Sequence, residues 1–97
     1  VTIEILPRAR EDIIEGWHFY EQQEHGAGSY FRDSILAAID GLAITVGVHA
    51  KLHGFHRAIA DPFPFAIYYR VSGVVHVHAI LDCRRDPAAT KRTLRSR

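Results

Sequence analysis

Cysteine is nearly absent: Cys83 is the only one, which excludes an internal disulfide. It closes an apolar stretch beside two arginines. A small packed residue is the simplest reading, because a nucleophile needs a base and arginine cannot be one. No apolar run approaches the roughly 20 residues that a membrane span requires. No charged n-region followed by an apolar h-region is seen, so the cytoplasm is the expected compartment and no membrane partner is expected. Charge of one sign is lacking too: the net value is +1. Overall balance therefore selects no partner, but its distribution does. Six Lys/Arg stand against one acid between Arg84 and Arg97, and most acids fall in residues 8–45. Such a basic end suits nucleic acid or an acidic protein.

What is present is apolar pattern. The 97 residues, 47% hydrophobic and 24% charged, suffice for one domain, 1–97, with a single core. Residues 1–6 alternate apolar and polar, a strand that Pro7 ends. Ala9, Ile13, Trp17 and Tyr20 make one helical stripe within 8–24. The run His25-Gly26-Ala27-Gly28 makes a turn, and Ser29 is the expected cap of a second helix. That helix carries Phe31, Ile35, Ile39, Leu42 and Val46 on one side. The short connection implies an antiparallel helical hairpin. Residues 51–60 have room for one strand of about six residues, ended by Asp61-Pro62. Phe63-Pro64 opens another, since proline at a strand start loses no ladder bond.

The last two strands form a hairpin around Ser72-Gly73. Phe65, Ile67, Tyr69 and Val71 share one parity; Val75, Val77, Ala79 and Leu81 share the other strand's most apolar parity. Matching these faces needs a three-residue loop with Gly73 in the left-handed position. Tyr68, Arg70, His76 and His78 then share the opposite face. The reading is α+β, ordered β-α-α-β-β-β: a helical hairpin on one face of a small, mostly antiparallel sheet, with the other face free for a partner.

Several segments together resemble the RelE/ParE superfamily, the toxins of type II toxin–antitoxin pairs also known as plasmid stabilisation proteins. They are Ala9-x-x-Asp12-Ile13, Phe19-Tyr20, Phe31, Phe55-His56-Arg57-Ala58, Phe63-Pro64-Phe65-Ala66-Ile67-Tyr68-Tyr69-Arg70 and Arg85-Asp86-Pro87. ParE-like members often carry His where Asp82 stands and Trp where Thr90 stands. RelE-type nucleases usually place a catalytic Tyr or His in the C-terminal segment, and this chain has neither after residue 78. The resemblance is therefore closer to ParE-like members. It implies a toxin that inhibits DNA gyrase by protein binding and is neutralised by a cognate antitoxin. A homodimer and a heterotetramer with the antitoxin are both open.

Partner-binding candidates are Arg57, Tyr68, Arg70, Arg84 and Arg85, because a planar guanidinium forks onto carboxylates and phosphates. One of Arg84 and Arg85 is expected to brace the turn at Asp86-Pro87, leaving the other for a partner. The alternative is a RelE-like endoribonuclease acting on mRNA at the ribosome. That chemistry needs a base, an acid and cations against developing phosphorane charge. Its candidates are His53, His56, Arg57, His78 and Arg84. A degenerate, non-toxic binding module is a third reading. No cofactor is expected. His76-x-His78 places two imidazoles on one strand face, but solvent-facing strands show the same pattern without a metal, and none is assigned.

Overall fold

Alternation in the first residues does produce a strand, β1 (Ile3–Ile5), in the computed structural model, which describes residues 1–97. Pro7 takes the first position of α1 (Pro7–Gln23), where a helix has no use for the missing N–H. Ala9 and Ile13 are buried, and Tyr20 packs against the same core. In α2 (Ala27–Thr45) the stripe Phe31, Ile35, Ile39 and Leu42 is buried as its spacing demands. The two helices pack tightly where Gly16 faces Phe31. A Cβ there would lie 2.4 Å from the Phe31 ring.

Ser29 is not the cap expected of it. It lies inside α2, whose N-cap is Gly26, with a φ of 91° that only glycine tolerates well. The orphan amides are satisfied from the preceding helix instead: the Glu21 carboxylate accepts from Gly26 N at 3.0 Å and from Gly28 N at 2.9 Å. These bonds, with His25 adding attraction, hold the Glu21 carboxyl below its ordinary pKa.

The single strand expected within 51–60 is a small hairpin, β2 (Lys51–Leu52) and β3 (Phe55–Ile59). His53 and Gly54 between them have φ of 53° and 85°, the two positive values that a type I′ turn requires. β4 (Phe65–Ser72) and β5 (Val74–Asp82) follow, and the sheet order is β1-β5-β4-β3-β2. β1 runs parallel to β5; all other pairs are antiparallel. The class and the order of the expected elements hold, with β2 added and a third helix at the end. No helix is long and apolar enough to cross a membrane.

The β4–β5 register is as parity demanded near the turn. Val71 opposes Val75, and Gly73 has φ 71°. Further on, parity fails. Tyr69 opposes Val77 but Tyr68 opposes Ala79, so His78 is an extra residue in β5. This β-bulge moves every later side chain of β5 to the other face. Ile80 takes the place on the helix side that Ala79 and Leu81 were expected to share. Those two join Phe55, Ala66, Tyr68 and Leu94 in a second cluster.

Leu94 belongs to α3 (Pro87–Arg95), a helix that the sequence reading did not contain. Its start is conventional: Pro87 at the first position, with the Asp86 carboxylate accepting from Ala88 N at 3.3 Å. The expectation of a free second sheet face is therefore corrected. The apolar residues that the bulge turns outward need a cover, and α3 supplies it.

Candidate functional site

Strand alternation places Phe55 and Arg57 of β3, Tyr68 and Arg70 of β4, and His76 of β5 on the face beneath α3. α3 borders several recesses, the largest of about 580 Å³ and shared with Arg8, Asp12 and Glu15 of α1. On the sheet face itself lies a cleft of about 400 Å³ lined by His53, Phe55, Arg70, Lys91, Leu94, Arg95 and Arg97. Its cations are Arg70, Lys91 and Arg95, which have no carboxylate partner, and Arg97, whose guanidinium is paired with Asp12. Arg70 is fixed at the cleft floor. Its guanidinium carbon sits 3.9 Å above the Phe55 ring, and its Nε donates to the Gly54 carbonyl at 3.2 Å. Lys91 and Arg95 stand one turn apart on α3 and face it from above.

A second recess, of about 180 Å³, lies by the N-terminal end of α3. His53, Arg57, Tyr68, Cys83, Arg85 and Thr90 are among the residues lining it. Arg57 donates through Nε to the Tyr68 hydroxyl at 3.2 Å and through Nη2 to Cys83 Sγ at 3.4 Å. The Tyr68 bond pushes the Arg57 pKa up, so Arg57 stays a cation. His53, in the turn between β2 and β3, lines both recesses.

Tyr68 was expected at the surface and is instead 3% exposed. Its parity was right, but α3 covers that parity. Arg84 and Arg85 share the work of the turn more evenly than expected. Arg84 forks onto Asp82 at 2.9 and 2.7 Å, while its own N–H reaches Asp82 Oδ1 at 2.8 Å. This pairing draws the Asp82 carboxyl below its usual pKa and raises that of Arg84. Arg85 turns inward, donating to Thr93 Oγ1 at 2.8 Å and to the Ala89 carbonyl. Neither arginine is left without a partner, although Arg84 remains 62% exposed.

The histidines separate. His56 is on the helix side of the sheet, stacked on Tyr69 at 5.0 Å, outside the 400 Å³ cleft but sharing a recess of about 250 Å³ with Lys51 and Arg70. His78 lies edge-on to Phe55 at 5.1 Å, with Nδ1 3.4 Å from the Arg97 backbone oxygen. Burial pulls its pKa below the usual histidine value. His76 is 3.8 Å from Glu4 and its ring centroid is 6.5 Å from that of His78. No third His, Cys, Asp or Glu completes a metal-binding set with them.

The strongest pairing escaped the sequence reading. Asp12 of α1 and Arg97 meet in a fork, Oδ2 to Nη1 at 2.7 Å and Oδ1 to Nη2 at 2.9 Å, with side chains 7% and 8% exposed. Both also bind the bulged strand. Asp12 Oδ2 accepts from Ile80 N at 3.0 Å, and Arg97 Nη1 donates to the His78 carbonyl at 2.9 Å. Beyond Val77, β5 has no neighbour in β1, and this ion pair satisfies its backbone there. The pairing raises the Arg97 pKa. A signal was present: Ala9, Asp12, Ile13 and Gly16 make one buried stripe, and a carboxylate on such a stripe needs a cation.

No known protein-family model matches this chain. No curated protein matches it either. The functional reading therefore rests on the fold, the cleft and the residues that carry the resemblance.

Proposed function

We propose that this chain is the toxin of a type II toxin–antitoxin pair of the RelE/ParE kind, that it inhibits DNA gyrase by binding it, and that a cognate antitoxin neutralises it. The observation carrying the proposal is the cleft under α3, where Arg70, Lys91 and Arg95 have no carboxylate partner. Such a surface favours an acidic protein partner, and three convergent unpaired cations repel a basic one. The helical hairpin on a mostly antiparallel sheet is the α+β arrangement expected of the chain, with β2 and α3 added. Gyrase binding stands ahead of RNA cleavage because His56 is on the opposite side of the sheet from the cleft, which leaves His53 as the histidine among its lining residues.

The test is gyrase supercoiling with added protein, beside primer extension on translated mRNA. Supercoiling should fall, and a Lys91→Glu, Arg95→Glu variant should restore it by tenfold or more in protein concentration. Codon-specific mRNA cuts with supercoiling intact would reverse the ordering. Growth unaffected by induction would favour a non-toxic binding module. RNA cleavage keeps one observation in its favour: His78 packs edge-on against Phe55, a residue of the cleft lining, and burial lowers its pKa, the direction that suits a base.

A further inference from the structure

The loop after α2, residues 46–50, is held by a cluster that plays no part in the cleft. Tyr69 is fully buried, and its hydroxyl oxygen accepts from Gly47 N at 3.2 Å. The same hydroxyl is 2.6 Å from His49 Nδ1. His56 Nδ1 is 2.6 Å from the His49 carbonyl, and the His56 ring stacks on Tyr69. The donors and acceptors here favour the one arrangement that leaves no proton of the cluster without an acceptor. A carbonyl can only accept, so His56 carries its proton on Nδ1. The Tyr69 oxygen already receives the Gly47 N–H, and its own proton has one acceptor within reach, the Nδ1 lone pair of His49. The chain of bonds runs Gly47 N–H to Tyr69 O–H to His49 Nδ1, and it needs that nitrogen bare.

We infer that His49 is a proton-operated catch on this loop: neutral, it holds Tyr69 and Gly47 in place; protonated, it lets the loop go. An imidazolium at position 49 is a donor on both nitrogens. The Tyr69 proton would then be buried without an acceptor, a cost relieved when the half-buried His49 ring swings to solvent. His56 does not act this way, because a second proton on its Nε2 leaves the Nδ1 bond intact. The titratable groups facing the cluster are Tyr69 from β4 and His56 from β3; the cations nearby are the exposed Lys51 and Arg70, which share a recess with His56. The histidine–carboxylate pairs of the molecule lie elsewhere, His25 with Glu21 and His76 with Glu4, so no acid stands by to keep a proton on His49. The loop leads into the β2–β3 hairpin, which carries His53 and Phe55 to the cleft. Its Ala50 carbonyl also accepts from Arg57 N at 3.1 Å. The catch thus acts on the part of the fold that presents the cleft, and it stands whether or not the toxin reading does.

The experiment is amide exchange at Gly47, corrected for the intrinsic pH effect, with imidazole nitrogen shifts of His49. Between pH 7.5 and 5, protection at Gly47 should drop about tenfold, as expected for one lost hydrogen bond. Core amides of Ile67 and Val77 should stay protected. In His49→Asn the side-chain oxygen stands where Nδ1 stood and does not titrate, so protection should hold across the range. Equal Gly47 protection at both pH values in the natural chain would overturn the inference. So would an equal drop in His49→Asn, or a His49 Nδ1 protonated at pH 7.5. The last needs no variant and decides the matter if His49→Asn does not fold.

Discussion

Asp12 shows how much one side chain can settle. It is a carboxylate on a buried helical stripe, and every bond it makes goes to a distant part of the chain. Removing it leaves the Arg97 guanidinium and the Ile80 N–H buried and unpaired. Asp12→Ala should cost about 3–5 kcal/mol, the usual consequence of breaking a buried ion pair from one side. Urea unfolding checks this. Arg97→Ala should cost a comparable amount, and the double variant clearly less than the sum, because each single change strands the other's charge. Purely additive costs would mean that the two side chains are not coupled. Glu21 and Asp82 predict the acid side of the stability curve. Both pKa values are depressed, by the amides of α2 and by Arg84 respectively. Their contribution is whole above the ordinary carboxyl range, about 3.9–4.3, and is lost as pH falls through the lower folded values. Urea midpoints measured from pH 6 to 2.5 should decline, and less steeply in Glu21→Gln.

Among the elements, the helical hairpin is the tightest joint and α3 the loosest. Gly16→Ala should raise helix propensity by up to about 1 kcal/mol yet lower stability by about 1–3 kcal/mol net, because its Cβ meets the buried Phe31 ring at 2.4 Å. Thermal melting decides the sign. α3 buries only Thr90 and Leu94, and bonds tie it to the body through Arg85 at one end and Arg97 just beyond the other. Leu94→Ala should cost about 2–3 kcal/mol, the low part of the range for a buried leucine, because its cluster is thin. Amide exchange should speed up in residues 87–95 before it does in β4. Uniform acceleration across the sheet would instead mean that α3 unfolds only with the whole domain.

For the whole molecule, the two faces of one sheet do different work. The helix side holds the main core of 14 buried residues, and the side under α3 holds a cluster of six with cations around it. Charge reversal at Lys91 and Arg95 touches only that rim. Both residues are exposed, so the substitutions should shift the melting midpoint little while weakening the gyrase inhibition proposed above. Loss of folding in that variant would place the two side chains in the structure rather than in the partner surface.

Local pattern determined much of this protein. Spacings of three and four placed the apolar stripes of α1 and α2, and alternation with Gly73 placed the β4–β5 hairpin and its three-residue loop. The pattern also assigned Arg70 to the face beneath α3. These features depend on neighbours within a few positions, which is why they were legible. Tertiary structure alone decided the bulge at His78. An extra residue in a strand is tolerable only where its freed N–H and C=O find partners, and here those partners are Asp12, 68 positions from Ile80, and Arg97, 19 from His78. Because the bulge turns Ala79 and Leu81 outward, it also decided that α3 must cover them. Periodicity tells which side of an element is apolar. It cannot tell which distant side chain will satisfy a buried polar group, and that choice shaped the cleft.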